Sequence, residues 1–269
     1  MFEPKKGESI LRAVVATSML WLAFLGSTLS AIAAGDVIPL SAANRKALSP
    51  LGEGVVGQPV PAQPIADPIR LFGLKSGERK YHITLGANQG QTDAEILARI
   101  PATARGATWK RVIGKEYIQH LKATSNQDIF LTSEAVEHHE LLAHFEPDVL
   151  VLTAGMKPGE SRSSESKISV SKLESPASKE YKGVLKATTT YEGAYKVTTP
   201  AGTFNAVLFK TDYRVDLGLV KVQDTHYIFY ADGVGKVASI EGVRVAALLL
   251  YHTHTRTAKV LLSPSTRGK

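Results

Sequence analysis

From residue 79 onward, short runs of alternating apolar and polar positions are separated by turn residues. Arg79-Lys80-Tyr81-His82-Ile83-Thr84-Leu85 puts Tyr81, Ile83 and Leu85 on one face, which is the two-residue period of a strand. Further strand-like segments fall at 109–112, 116–121, 128–132, 149–152, 195–198, 204–209, 225–230, 235–240, 245–255 and 259–262. Thr92-Asp93-Ala94-Glu95 has the spacing of a helix cap and predicts one short helix to about Arg99, stopped by Pro101. Residues 133–145 fit either period, with Val136, His139, Leu142 and Phe145 at helical spacing; their length reads as strand.

Turn chemistry joins these pieces. In Lys157-Pro158-Gly159-Glu160, proline fixes φ at the first corner and glycine takes the positive φ of the second. Pro200-Ala201-Gly202 and Ala231-Asp232-Gly233 each sit between two β-rich runs, as hairpin connections do. About ten strands joined by short turns, with little helical periodicity, predict a mostly β antiparallel meander. Several strands are apolar on both faces: Phe204, Ala206 and Leu208 on one, Val207 and Phe209 on the other. A sheet with one wet face alternates, so these strands need cover on both sides, from a helix, a second sheet or a ligand.

The N-terminal third reads differently. Lys5 and Lys6 precede an apolar stretch from 13 to 25, then Gly26 and a small-residue run ending Ala31-Ile32-Ala33-Ala34. This is the layout of a removable Sec signal, with cleavage expected near Ala33 or Ala34 and a periplasmic destination. The apolar core falls short of the about 20 residues of a membrane-spanning helix. Residues 35–70 are rich in Pro, Gly and Ala and read as a linker. The expected domains are a signal at 1–34, the linker, a β domain over 71–262 and a disordered tail at 263–269.

Composition narrows the function classes. The sequence has no cysteine, which excludes a disulfide scaffold, a thiol nucleophile and a lipid anchor at a processed cysteine. Formal charge is +7. Lys and Arg are scattered among Asp and Glu rather than clustered, so no nucleic-acid partner is expected; the surplus allows peripheral contact with an anionic lipid or polysaccharide surface, and a plain solvated surface is the favoured reading.

The stretch Tyr191-Glu192-Gly193 through Thr199-Pro200-Ala201-Gly202-Thr203-Phe204, with the turn at 230–235 and Lys157-Pro158-Gly159-Glu160, resembles a group of uncharacterised bacterial envelope proteins carrying TPAGTF and YAPGVG-type turns. Ser161 and Arg162 stand where many relatives place a tryptophan, and Asp232 where proline is usual. The resemblance covers about residues 70–262. It implies export and a fold similar to the half-open β-barrel of the LolA/LolB lipoprotein carriers, with a concave apolar face.

Motif chemistry is sparse. Glu134 with His138, or Glu140 with His144, would share a face if their segment were helical, and His252 and His254 would share one on a strand. Neither group has the His-Glu-x-x-His form of a zinc protease. The serine-rich run 161–171 lacks a nucleophile elbow and reads as a mobile turn. Gly52-x-Gly54-x-x-Gly57 has no strand before it or helix after it and is no dinucleotide fingerprint. No enzyme activity and no cofactor is expected. The leading expectation is a binder of a lipid-like or amphipathic molecule, with Tyr191, Phe204, Leu208, Tyr227 and Phe229 as candidate ligand contacts. An envelope interaction protein with a side-chain-filled barrel is the second reading, and a histidine-based metal hydrolase the third.

Overall fold

The computed structural model describes residues 35, 37–115, 117–137, 140–247 and 251–266. The strands are β1 (Val56–Val60), β2 (Gly77–Leu85), β3 (Thr92–Arg99), β4 (Trp109–Ile113), β5 (Tyr117–Ala123), β6 (Ile129–Val136), β7 (Leu141–Leu152), β8 (Ser161–Lys172), β9 (Ser175–Thr199), β10 (Gly202–Asp216), β11 (Val220–Ala231), β12 (Gly235–Ala247) and β13 (Tyr251–Thr266). Two short helices, α1 (Ala42–Leu48) and α2 (Pro68–Phe72), precede β2. From β2 to β13 each strand is antiparallel to the next, and β13 returns to pair with β2, Leu261 opposite Tyr81. Twelve strands therefore close into an up-and-down barrel.

The meander is as expected, but the barrel is closed rather than half-open. Two strands that complete the circuit do not look like strands in sequence. Residues 92–99 form β3, not a helix: Glu95 and Leu97 are buried while Ile96 is 44% exposed, so alternation overrides the capping pattern. The serine-rich run is β8, where buried Ser164, Ser166, Ile168 and Val170 alternate with exposed Ser163, Glu165 and Lys167. Residues 129–152 form β6 and β7 around a turn, and β13 continues through 263–266, into the expected tail.

An eight-stranded barrel is about wide enough for its own side chains to fill, and twelve strands enclose more. The N-terminal arm supplies the difference at one end. Ile65, Leu71, Phe72 and Leu74 join an interior apolar core with Leu97, Leu121, Phe145, Leu185, Phe209 and Tyr230. The Phe72 ring lies 5.8 Å from that of Tyr230 on β11 and has the Arg111 guanidinium of β4 5.4 Å from its centre, so it bridges opposite walls. Local signals make α2: Asp67 caps it by accepting from Arg70 N at 2.8 Å, Pro68 opens it, and Gly73 at φ 67° ends it. Backbone bonds Ile65 N to Met156 O (2.9 Å) and Gly233 N to Arg70 O (3.1 Å) fasten this plug to the turns around it.

The rest of the arm covers the outside of β9 to β13, which explains strands apolar on both faces. Leu48 and Leu51 pack with Tyr195, Val197, Leu208, Phe229, Ile240, Ala258 and Val260 in a second core. β9 outruns β8, whose pairing stops at Ser161 opposite Thr190, and β1 pairs with the remaining edge, Val60 opposite Ala194 and Val56 opposite Val197. The stretch read as a linker is thus part of the folded domain: its prolines suit an edge strand and a helix start rather than a free tether. Residues 1–34, the expected signal, lie outside the described residues. Among those described, no helix is long and apolar enough to cross a membrane.

Candidate ligand site in the barrel mouth

Alternation decides which polar side chains point inward. Cross-strand register puts Arg79 opposite Glu95, Leu97 opposite Arg111, Arg111 opposite Gln119, and Gln119 opposite Glu134, so these residues share the inner face. On the far wall, His226 lies opposite Glu241 and Asp224 opposite Tyr213, again facing inward. The charged groups are thus set within the apolar interior, between the plug at one end and Val215, Leu217, Val222, Val243 and Val245 toward the other.

Glu95 organises the layer next to the plug. It pairs with Arg111 (2.6 Å), Lys236 (2.7 Å) and Arg79 (3.4 Å), and its side chain is 2% exposed. Burial alone would raise the Glu95 carboxyl, but Arg111, Lys236 and Arg79 overcome that and hold it well below the usual carboxylate range. Burial lowers the Lys236 ammonium to about 8 in spite of Glu95. Arg79 also donates to the carbonyl oxygen of Gly73, the cap of α2, so the network ties the plug to the wall.

At the opposite end the barrel holds a cavity of about 470 Å3. Its wall combines apolar Ile83, Ile113 and Val243 with Asp93, Glu241 and Lys259. The turns after β2 and β4 contribute Asn88 and Lys115 at the rim. Lys259 bonds Asp93 across the cavity wall. Small-ligand sites run about 300–1,000 Å3 and join apolar walls to a few placed polar groups, which this cavity does.

Beside it, His226 Nε2 stands 2.7 Å from Asp224 Oδ2 and 3.4 Å from Glu241 Oε1. Burial alone would push the His226 imidazole down; the facing Asp224 and Glu241 carboxylates reverse this and hold it at about 10. Burial raises the Glu134 carboxyl to about 8, against the bond it accepts from Gln119.

The five candidate contacts chosen from sequence lie elsewhere. Tyr191 is buried in the interior core and donates to Gln63 O at 3.0 Å. Leu208, Phe229 and Tyr227 are buried under the N-terminal arm, where Tyr227 donates to Asn44 Oδ1 at 3.2 Å, and Phe204 packs at the edge of the same cluster. None lines the mouth cavity. Of the histidine groups of the third reading, Glu140 with His144 is described in full and does not come together on one helical face. Glu134 points inward on β6, Glu140 is exposed in the following turn, and His144 is on β7 opposite Ser133. His138 and His139 are outside the described residues, as is the side chain of His252.

Sequence reasoning missed Asp224, His226 and Glu241. The signal was Asp224-Thr225-His226, two ligand types one residue apart on a strand, but its partner across the hairpin depends on a bulge. The pairing opens Ala231 with Gly235 and Tyr230 with Lys236, then shifts by one before Phe229 meets Ala238. Without that extra residue His226 would face Ile240 instead of Glu241.

No protein-family model and no curated protein matches the sequence. Two solved structures are similar over 76% of this chain and the whole of theirs. One is described as an exported protein with a YmcC-like fold from Bacteroides fragilis (TM-score 0.39, 11% identity). The other is described as a lipoprotein from Parabacteroides distasonis (TM-score 0.37, 12% identity). Likeness of this size decides neither family nor function.

Proposed function

We propose that this chain is an exported, non-enzymatic barrel that binds a small amphipathic molecule in its unplugged mouth. The cavity of about 470 Å3 carries the reading: its polar groups sit beside apolar Ile83, Ile113 and Val243, a lining suited to a molecule with one polar and one apolar part. The signal pattern at 1–34 and the turn resemblance to envelope proteins support export and a periplasmic location. The outer wall supports a water-surrounded barrel rather than a spanning one. Ser161, Ser163, Glu165, Lys167, Lys182 and Lys186 are exposed on β8 and β9, where a membrane barrel carries an apolar band. Leu219, 71% exposed, lies on the turn after β10 at the mouth end and suits brief contact with a lipid surface from which the ligand is taken.

Native mass spectrometry of protein isolated from the periplasm tests this, together with displacement of a fluorescent single-chain amphiphile. A co-purifying small molecule, displaced in one-to-one ratio, is the expected result. Ligand-free protein that also fails to bind the probe contradicts it.

A further inference from the structure

Asp224 and His226 are neighbours on the inner face of β11, and Glu241 faces them from β12. The donor atoms of the three lie within 4.8 Å of one another. A single nitrogen, His226 Nε2, faces both carboxylates. One N–H shared by two carboxylates bonds each of them poorly, and Nε2 and both Asp224 oxygens are left without a well-aligned hydrogen bond. The Asp224 side chain is 1% exposed, and among the described residues its ion pair is with His226. Leaving buried carboxylate oxygens without donors is costly. A cation placed between the three groups would satisfy all of them together.

We infer that Asp224, His226 and Glu241 bind one first-row divalent transition ion at the wall of the mouth cavity. The donor set selects the class. One imidazole nitrogen with carboxylate oxygens suits Zn2+, Mn2+ or Co2+, whereas Mg2+ and Ca2+ take oxygen alone and Cu(I) prefers sulfur. Ligand atoms around a tetrahedral ion at about 2.0–2.1 Å stand about 3.3 Å apart. The observed 2.7 and 3.4 Å separations need little adjustment to meet that. Glu134 is a further oxygen donor in reach of the site's field: it is 2% exposed, its Oε1 has no hydrogen-bond partner, and Glu241 and His226 act on it electrostatically. Tyr213 packs edge-on against the His226 ring at 5.0 Å and fixes its orientation. Because Glu241 also lines the cavity, the ion reaches the site from the mouth, and water or a ligand group completes its shell. The inference goes beyond the amphiphile reading and stands without it, since metal uptake and amphiphile uptake are measured separately.

The test is titration of the untagged protein with Co2+ and Zn2+, with Mg2+ as the oxygen-preferring control. Expected are one Co2+ per chain with visible ligand-field bands, displacement by Zn2+, and no competition from millimolar Mg2+. Glu241→Gln should weaken Co2+ binding at least tenfold with unchanged far-ultraviolet circular dichroism, and His254→Ala, on the exposed surface, should leave it unchanged. Nitrogen-15 spectra of the wild-type imidazoles make the result independent of variant folding: Zn2+ should shift the ring nitrogens of His226. No saturable uptake by the folded wild type overturns the site, as does uptake that moves other histidines and leaves His226 in place.

Discussion

Arg111 donates to Glu95 Oε2 over 2.6 Å in a region where Glu95 is 2% exposed and Arg111 10%. The same carboxylate serves Arg79 and Lys236, so one negative charge keeps three cations in the barrel interior and holds the cap of α2 through Arg79. Breaking a buried pair by removing one partner leaves an uncompensated charge and costs about 3–5 kcal/mol. Glu95→Gln should lose about that much in urea denaturation at pH 7. The Glu95 carboxyl is held below its ordinary 4.5 in the fold, so its contribution is present above about pH 4.5 and lost as pH falls. Wild-type stability should therefore drop progressively as pH falls below about 4.5, with a shallower slope in the variant.

Glu134 has the opposite sign. Its folded carboxyl keeps a proton up to about pH 8, while the unfolded chain releases it near 4.5. Between those values the folded state holds the extra proton, so stability declines as pH rises. Glu134→Gln removes that decline. The variant should match the wild type near pH 4 and exceed it by more than about 2 kcal/mol at pH 9, as read from urea midpoints at both pH values.

The plug depends on a close backbone approach. Gly235 has φ 92°, and a Cβ there would stand 2.5 Å from Phe72 O. Gly54 also has positive φ, 74°, but a Cβ there would meet nothing. Gly54→Ala should cost only the backbone term, about 1–2 kcal/mol. Gly235→Ala should cost clearly more and increase binding of an apolar dye as α2 is displaced. Equal losses would show that the plug does not rely on this contact.

Deleting residues 37–60 separates an integral arm from a tether. The arm covers Leu208, Phe229, Ile240 and Val260. Its removal should yield protein that aggregates or binds an apolar dye strongly, measured by light scattering and dye fluorescence. A soluble product with unchanged thermal midpoint would return the segment to the role of a linker.

The sheet was legible in sequence where one rule acted alone. The turns at Pro158-Gly159 and Pro200-Ala201-Gly202 carry proline and glycine at the required corners; the second joins two strands as read, while the strand after the first was not foreseen. Reading failed where two rules competed. Thr92 and Glu95 mimic a helix cap, yet Glu95 meets Arg79 and Arg111 on the two neighbouring strands. The serines of β8 point inward at Ser164 and Ser166 against a crowded wall, which composition alone cannot distinguish from a loop. Among the residues chosen as ligand contacts, Phe204, Leu208, Tyr227 and Phe229 are covered by the chain's own arm. The mouth residues come from β2 to β5 and their turns at one end of the sheet and from β12 and β13 at the other, brought together only by closure.

Filling the mouth tests the account most directly. Thr257 is half-buried on the cavity wall, and Thr257→Trp would place an indole in that space without touching the plug or the Glu95 network. With a fluorescent single-chain amphiphile, the expected result is one saturable site in the wild type and at least tenfold weaker binding in the variant, at unchanged thermal midpoint. Equal binding by both proteins, or no binding by either, would contradict a ligand in the mouth.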